Sequence, residues 1–320
     1  MVHKPAWFRD GQVFISYAPT VGINKDGEDL FVVDPDTGLR TNTIDDQIAA
    51  DVTALTTEFE TTDTSRWVDT DKLGDQLMAV PNYFDDRPIR DFEKMMKSSE
   101  LEGFKQQTIG DLIENGLIEA MHGHGSPSAD FRTGHVPYIK VSDIRAGQVN
   151  INPTNRVPDV VAERFWKGSE SGLREYDLVT PIRTSKNIGE FALIMPGQER
   201  VVLTKEVLVL RASENAPFDN FYILWAMTLK AVRRQWDRIV FMQTNREDVG
   251  RRYREILIPV PPNREAADMH SQAFRDYYLG TQRLRDNFLT YLASEDKHYI
   301  FMASSVASVE DFIEESGSDD

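Results

Sequence analysis

The run Ile256-Leu257-Ile258-Pro259-Val260-Pro261-Pro262 divides this chain of 320 residues into two kinds of structure. Pro259 has no N–H to give to a ladder, so a strand here belongs at a sheet edge, and Pro261-Pro262 forces a stop. Beyond the stop, Met269, Ala273, Tyr277, Leu284, Phe288 and Leu292 recur at spacings of three, four or their multiples. That pattern predicts one long helix over 263–293 with a single apolar seam. Roughly 30 residues at about 1.5 Å each give on the order of 45 Å, longer than a small domain needs for its own core. Gly280 weakens the helix centre by about 1 kcal/mol relative to Ala and marks a candidate kink.

Upstream of the prolines the pattern changes to strands. Pro137 to Ile144 alternates apolar and polar residues, which predicts a strand with Ile139 and Val141 inward and Tyr138, Lys140 and Ser142 on the other face. Glu175 to Ile182 reads as a second strand, and Val201–Leu203 and Val207–Leu210 as β-branched core strands. Phe218 to Trp236 reads as one helix, with Phe218, Phe221, Tyr222, Trp225, Leu229, Val232 and Trp236 as its buried stripe. Residues 122–134 are rich in Gly, Ser and Pro and predict a surface loop that packs poorly. His122 and His124 within it have no carboxylate cluster nearby, so they do not make a metal site.

Near the start, Val13, Ile15 and Tyr17, then Leu30 and Val32, flank Gly22 and the turn signal Lys25-Asp26-Gly27, predicting a β-hairpin-like unit. The chain has no Cys; disulfides, thiolate zinc sites and thiol nucleophiles are therefore excluded. There is no apolar run of about 18 residues and no basic-then-apolar leader, so no membrane span or signal peptide is expected, and a cytoplasmic location fits. The net charge of −16 opposes binding to phosphate backbones, but it is unevenly placed. Residues 1–100 carry 10 basic and 20 acidic side chains, whereas 104–262 carry 21 and 19. Within the latter, Lys230 to Arg254 holds 8 basic against 3 acidic residues.

Three ordered phrases, VPYIKVSDI, YDLVTPIRTSKNIG and FMQTNREDVGRRYREILIPVPP, together with the lead Thr108-Ile109-Gly110-Asp111-Leu112, resemble the target-recognition domain of a type I restriction–modification specificity subunit. The phrase from Phe14 to Gly27, followed by Asn42 to Asp46, is similar to the C-terminal tail of an N6-adenine DNA methyltransferase. The resemblance implies an α+β fold: a mixed, curled-sheet recognition domain over 104–262, then a long helix for dimer or partner contact over 263–293. It further implies a small β-hairpin/helix extension, a methyltransferase-tail-like segment over 1–60, a linker with short helices over 61–103, and an acidic tail over 294–320. The implied partners are double-stranded DNA and a methyltransferase subunit. That subunit would hold S-adenosylmethionine; no cofactor and no catalytic residue are expected in this chain.

The candidate DNA-binding residues are Lys140, Ser142, Arg183, Thr184, Ser185, Lys186, Asn187, Gln243, Thr244, Asn245, Arg246 and Arg251. Arg suits guanine O6/N7, Asn and Gln suit adenine N6/N7, and Lys, Ser and Thr suit phosphates. A plain half-buried strand end explains Lys140 and Ser142 as well, and a solvated hairpin tip explains 183–189. The seam Met269, Ala273, Tyr277, Leu284, Phe288 and Leu292 admits a homodimer, one copy serving one methyltransferase, or a helix folded back on its own domain. No Asn-Pro-Pro-Tyr-type tetrad, HExxH, Walker-type loop or PD…ExK arrangement is present, which speaks against a self-contained methyltransferase or nuclease. The competing class is a non-catalytic protein-interaction module that keeps the recognition fold without reading DNA, as the acidic bulk suggests.

Overall fold

The computed structural model describes residues 3–74, 79–127, 133–152, 154–243 and 246–295, with backbone alone for 242, 243, 246 and 292–295. It divides into two compact units, residues 1–87 and 88–320.

In the first unit, β1 (Gln12–Ser16) is followed by β2 (Phe31–Val33), β3 (Arg40–Ile44), helix α1 (Gln47–Thr53) and β4 (Ser65–Asp69). The turn at Lys25-Asp26-Gly27 forms as expected: Gly27 N–H donates to Asn24 C=O at 3.1 Å and Leu30 N–H to Gly22 C=O at 2.9 Å. The expected strand pairing does not. β1 pairs antiparallel with β4 (Gln12↔Asp69 to Ser16↔Ser65), and β2 pairs with β3. The apolar side of β1 is buried against β4 and the turn after it, in a small core of Ile15, Tyr17, Val68, Leu73 and Phe84. Asp51 of α1 is fully buried and accepts from Ser16 Oγ (2.5 Å), Thr64 Oγ1 (2.8 Å) and Thr62 Oγ1, so the cost of burying a carboxylate is met by three hydroxyl donors. These bonds tie α1 to the β1–β4 pair.

Residues 61–103 are therefore not a linker. β4 and the turns after it, with Leu73 and Phe84, belong to the first unit's core, and α2 (Arg87–Met96) carries Phe92 fully buried into the main core of the second. The second unit continues with β5 (Lys105–Thr108), α3 (Ile109–Glu114), β6 (Ile118–His122), β7 (Val136–Ile139), β8 (Ile144–Arg145), β9 (Gln148–Val149), β10 (Arg156–Val157) and α4 (Asp159–Trp166). Then come β11 (Leu178–Pro181), β12 (Ala192–Leu193), β13 (Val202–Leu203), β14 (Val207–Ala212), α5 (Asn220–Thr228), α6 (Lys230–Ile239), β15 (Phe241–Gln243), β16 (Arg246–Asp248), β17 (Leu257–Val260) and α7 (Arg264–Glu295).

Six strands form a mixed sheet in the order β6-β14-β11-β12-β9-β8. β14 and β11 are central, and both faces of each are covered. Leu178, Leu193, Leu208 and Leu210 pack with the aromatics of α5 and α6, while Val179, Ala192, Val207 and Val209 pack with Ile139, Ile144 and Leu203. That double burial is why Val207 to Leu210 reads as an unbroken apolar run rather than an alternating one. A buried ion pair fixes the same layer: Arg211 donates to Asp177 through Nε (2.7 Å) and Nη2 (2.6 Å), and to Gly172 C=O at 2.9 Å. The Asp177 carboxylate, hydrogen-bonded to the guanidinium, holds the Arg211 pKa above its ordinary value. Pro259 lies, as expected, in a two-stranded edge pair, β17 with β5.

Three local expectations change. The strand from Pro137 stops at Ile139, because Lys140 N–H donates to Asp143 Oδ2 (2.8 Å) and a 3-10 turn over Val141–Asp143 replaces the pleat. The single helix from Phe218 to Trp236 is two, broken at Leu229 with φ −59° and ψ 128°. Leu229 C=O then accepts from Val232 and Arg233 N–H, starting α6 in a new direction that brings Trp236 into the core. The glycine-rich segment packs closely where it is described: Gly123 N–H donates to Val207 C=O (2.8 Å) and His124 N–H to Leu203 C=O (2.9 Å). A Cβ on Gly123 would lie 1.9 Å from Thr204 O, so the glycines serve close approach rather than mobility. Residues 128–132 lie outside the described part.

Candidate nucleic-acid interface

Three polar segments are stitched together at one place on the second unit. The first is the loop Arg183 to Gly189, which follows β11. Its root is bonded to the β15–β16 hairpin: Thr184 N–H donates to Glu247 C=O (2.9 Å), Val249 N–H donates to Ile182 C=O (2.9 Å), and Arg183 bridges Asp248. The Arg183 Nε lies 3.1 Å from Asp248 Oδ2, an ion pair without a hydrogen bond at Nε, and the Arg183 side chain stays 43% exposed. Thr184 has φ +56°, a left-handed conformation that costs a non-glycine residue about 1–2 kcal/mol. The third segment, Lys140 to Gln148, is joined through Asn187, whose Nδ2 donates to Ile144 C=O at 3.2 Å.

The loop is rigid at its far end too. Asn187 N–H donates to Ser185 Oγ (3.0 Å) and Glu190 N–H to Asn187 C=O (2.9 Å), closing a turn. Ile188 is buried, and Gly189 (φ +79°) sits where a Cβ would come within 2.7 Å of the Trp236 ring. Thr184 and Lys186 are exposed, while Ser185 and Asn187 are half-buried. The second segment places Gln243 opposite Arg246 at the hairpin end; Thr244 and Asn245 lie outside the described residues. Arg252 clamps the hairpin from behind, with its guanidinium 3.6 Å from the centre of the Phe241 ring and its Nη2 donating to Asp248 C=O at 2.6 Å. Arg251 is exposed beside it.

In the third segment Lys140 spends its ammonium on Asn155 Oδ1 (2.9 Å), whereas Ser142 is exposed. Burial raises the Asp143 pKa, against the lowering effect of its bond to Lys140 N–H. Sequence reading missed two participants. Asp248 orients Arg183, and exposed Arg145 stands at the two-residue turn Ala146-Gly147 between β8 and β9. Both turn residues have positive φ (51° and 74°), as a type I′ hairpin requires. The signal was the short spacing of Ile144 and Val149, without the usual Asn-Gly.

Neither histidine is placed to hold a metal. His124 Nδ1 accepts from Leu203 N–H (3.0 Å), so its Nε2 donates to Ser171 C=O (2.9 Å) and no ring lone pair is left. Among the described residues no group of three His, Asp or Glu side chains could hold a metal ion. No helix among them is long and apolar enough to cross a membrane.

Helix α7 leaves this region from Asn263, whose Oδ1 accepts from Ala266 N–H at 2.9 Å, and runs unbroken through Gly280. It packs on its own unit with Ala267, Ser271, Phe274 and Tyr278; Tyr278 O–H donates to Gly147 C=O (2.8 Å), and burial pushes its pKa up to about 12. The expected seam is on the other side: Met269, Ala273, Tyr277, Leu284 and Phe288 are exposed, and the side chain of Leu292 lies outside the described part.

No protein-family description and no curated protein matches this chain. The solved structures similar to it include the following three. They are the S subunit of a type I restriction-modification system from M. genitalium (13% identity, 68% of this chain and 50% of that one, TM-score 0.37), the HsdS subunit from Thermoanaerobacter tengcongensis (13%, 61% and 46%, TM-score 0.35), and a chain from a study of assembly and conformational transition in the type I R-M system (12%, 77% and 65%, TM-score 0.38). The chain spans about half the length of the first two.

Proposed function

We propose that this chain reads DNA sequence for a separate catalytic chain and performs no chemistry itself. The observation that supports the reading is the hydrogen-bonded linkage of three polar segments, through Thr184 N–H to Glu247 C=O and the Asn187 side-chain amide to Ile144 C=O. Separately, each segment is an ordinary solvated turn. Joined, they offer Arg183, Lys186, Asn187 and Ser142, with Gln243, Arg246 and Arg251 placed alongside by the backbone. That set has donors for guanine and adenine edges and cations for phosphates. The Asp248 carboxylate lies beside the Arg183 guanidinium, whose Nη groups are the kind of paired donors a guanine takes. Residues 1–87 carry 7 basic and 17 acidic side chains, whereas 104–262, where the patch lies, carry 21 and 19. The catalytic partner is an N6-adenine DNA methyltransferase carrying S-adenosylmethionine, in a restriction–modification or related phage-defence system. This part of the reading rests on the phrase from Phe14 to Asp46. The exposed seam of α7 serves a second helix, from a further copy or from that partner.

Selection of duplexes from a random pool by the full chain, alone and with an N6-adenine methyltransferase subunit that co-purifies with it, tests the proposal. One enriched sequence is expected, with affinity falling as salt rises. Arg183→Ala/Lys186→Ala should weaken binding to it by tenfold or more, since a bidentate base contact is worth about 1–3 kcal/mol. A pool without preference under both conditions sinks the reading and favours an interaction module, for which the acidic first unit speaks.

A further inference from the structure

Twelve large apolar residues lie between Val21 and Phe59, and nine of them are exposed: Val21, Ile23, Val32, Val33, Leu39, Ile44, Ile48, Val52 and Phe59. Leu55 alone is buried. A folded segment holds its shape by removing apolar area from water, because fixing each residue costs about 1–2 kcal/mol of backbone entropy. This one leaves a large share of that area in water, yet it is regular: β2 and β3 pair, Asp46 caps α1, and Asp51 bolts α1 to the β1–β4 pair.

Several of the exposed residues lie near one another, although Val32 and Val33, consecutive in β2, point to opposite faces. Phe31 faces Ile44 across the β2–β3 pair, and the Arg40 guanidinium lies 3.8 Å from the centre of the Phe31 ring. Ile44 also covers Gly22, where a Cβ would come within 2.8 Å of its Cγ2, which brings Val21 and Ile23 beside it. A bridge from Val21 to Asp46 joins this row to α1, where Ile48 and Val52 occupy successive turns of one face. Contiguous apolar exposure of this kind marks an interaction surface.

Charge selects the occupant. Residues 21–59 carry nine Asp and Glu against Lys25 and Arg40. Nucleic acid and anionic lipid are repelled by that excess, and a symmetric contact between two copies would set acid against acid. We infer that residues 21–59 form a docking surface for a different protein chain, one whose contact face is apolar at its centre and rimmed with Lys and Arg. A segment of 39 residues is long enough to supply the roughly 20–30 contact residues that one side of a stable interface uses. The inference stands whether or not the loops of the second unit touch DNA.

The test places the photo-reactive amino acid p-benzoylphenylalanine at Val33 or Leu39 of the full chain, expressed and irradiated in its own cells, with the same substitution at exposed Asn150 as control. Mass spectrometry of the adducts should give one other protein from both positions and none from Asn150, joined through an apolar peptide flanked by Lys or Arg. That protein, purified and titrated against the full chain, should bind tenfold or more weakly to Val33→Asp/Leu39→Asp, and its affinity should fall as salt rises. The melting curve of the variant shows whether it folds, and Val33→Ser/Leu39→Ser replaces it if it does not. Adducts only within this chain or between its copies, an acidic cross-linked peptide, unchanged affinity of the folded variant, or no adduct would each overturn the inference.

Discussion

Residues 21–59 and residues 104–262 draw on the same β-branched and aromatic side chains and do opposite things with them. In the first stretch nine large apolar residues are exposed; in the second, among the described residues, Val160 alone is. The difference is one of layers rather than of composition. β14 and β11 each have a neighbour strand on both sides and a packed layer on both faces, so Val207 to Leu210 vanish from solvent. Among the described residues the β2–β3 pair is two strands with no third, and Val33 and Leu39 stay exposed, since an isolated hairpin cannot supply a covering layer from within. One region is finished by its own chain and the other is arranged to be finished by something else. Helix α7 repeats the contrast within a single element: Ala267, Ser271 and Tyr278 are buried on one side, while Met269, Tyr277 and Leu284 are exposed on the other.

The contrast breaks most visibly at Asp177. Asp177→Ala would leave Arg211, 6% exposed, with only the half-exposed Glu119 as a carboxylate partner. Removing one member of a buried pair costs about 3–5 kcal/mol, measurable by urea unfolding of the full chain. A loss below about 1 kcal/mol would mean that the sheet layer is less dry than its geometry implies. Next in size is a matched pair of truncations. Leu210→Ala removes a fully enclosed side chain and should cost about 2–5 kcal/mol. Leu39→Ala, at a position 69% exposed, should stay within about 0.5 kcal/mol in the unpartnered chain. Equal effects would erase the distinction between the two regions.

A smaller effect follows from pH. Burial lowers the His124 pKa below its ordinary 6.5, outweighing the raising effect of its bond to Ser171. The unfolded chain therefore takes up a proton at a pH where the folded one does not. Stability is complete above about pH 6.5 and falls as pH drops from there through the lowered folded value, by at most about 1.4 kcal/mol per unit for one proton. Urea midpoints at pH 7.5 and 5.5 for the wild type and His124→Gln would isolate it, since the variant should lack this component of the slope. Identical slopes would refute the neutral, doubly bonded ring.

Legibility in the sequence followed the range of the forces involved. The edge strand at Pro259, the double-sided run at Val207 to Leu210 and the long helix after Asn263 are set by neighbours a few residues away, and pattern alone locates them. β1 with β4 is a pairing of Gln12 with Asp69, 57 residues apart, and the local turn at Gly27 drew attention to the wrong partner. The break at Leu229 is equally silent, because leucine favours helix and only the need to bring Trp236 under Gly189 bends the chain there. For the candidate interface the residue types were readable and their convergence was not. Asn187 reaching Ile144 is a contact across 43 residues that no spacing rule contains, and Asp248 looked like one acid among many.

Thr184 tests the comparison most finely, because here the finished region keeps a local strain. Its φ of +56° costs about 1–2 kcal/mol that glycine would not incur. Glycine would in turn lose about 0.5–1 kcal/mol more unfolded-state freedom. Thr184→Gly should therefore leave stability unchanged or raise it by up to about 1.5 kcal/mol in urea unfolding. If the loop were only a solvated turn, nothing else would follow. If it is a reading surface, a β-branched residue in that conformation fixes the direction in which Arg183 and Lys186 leave the sheet, and releasing it should weaken binding to the selected duplex several-fold while stability holds or rises. Gain of stability together with loss of binding is the signature of strain retained for recognition; a variant that is more stable and binds equally well would show that Thr184 holds its conformation for no functional reason.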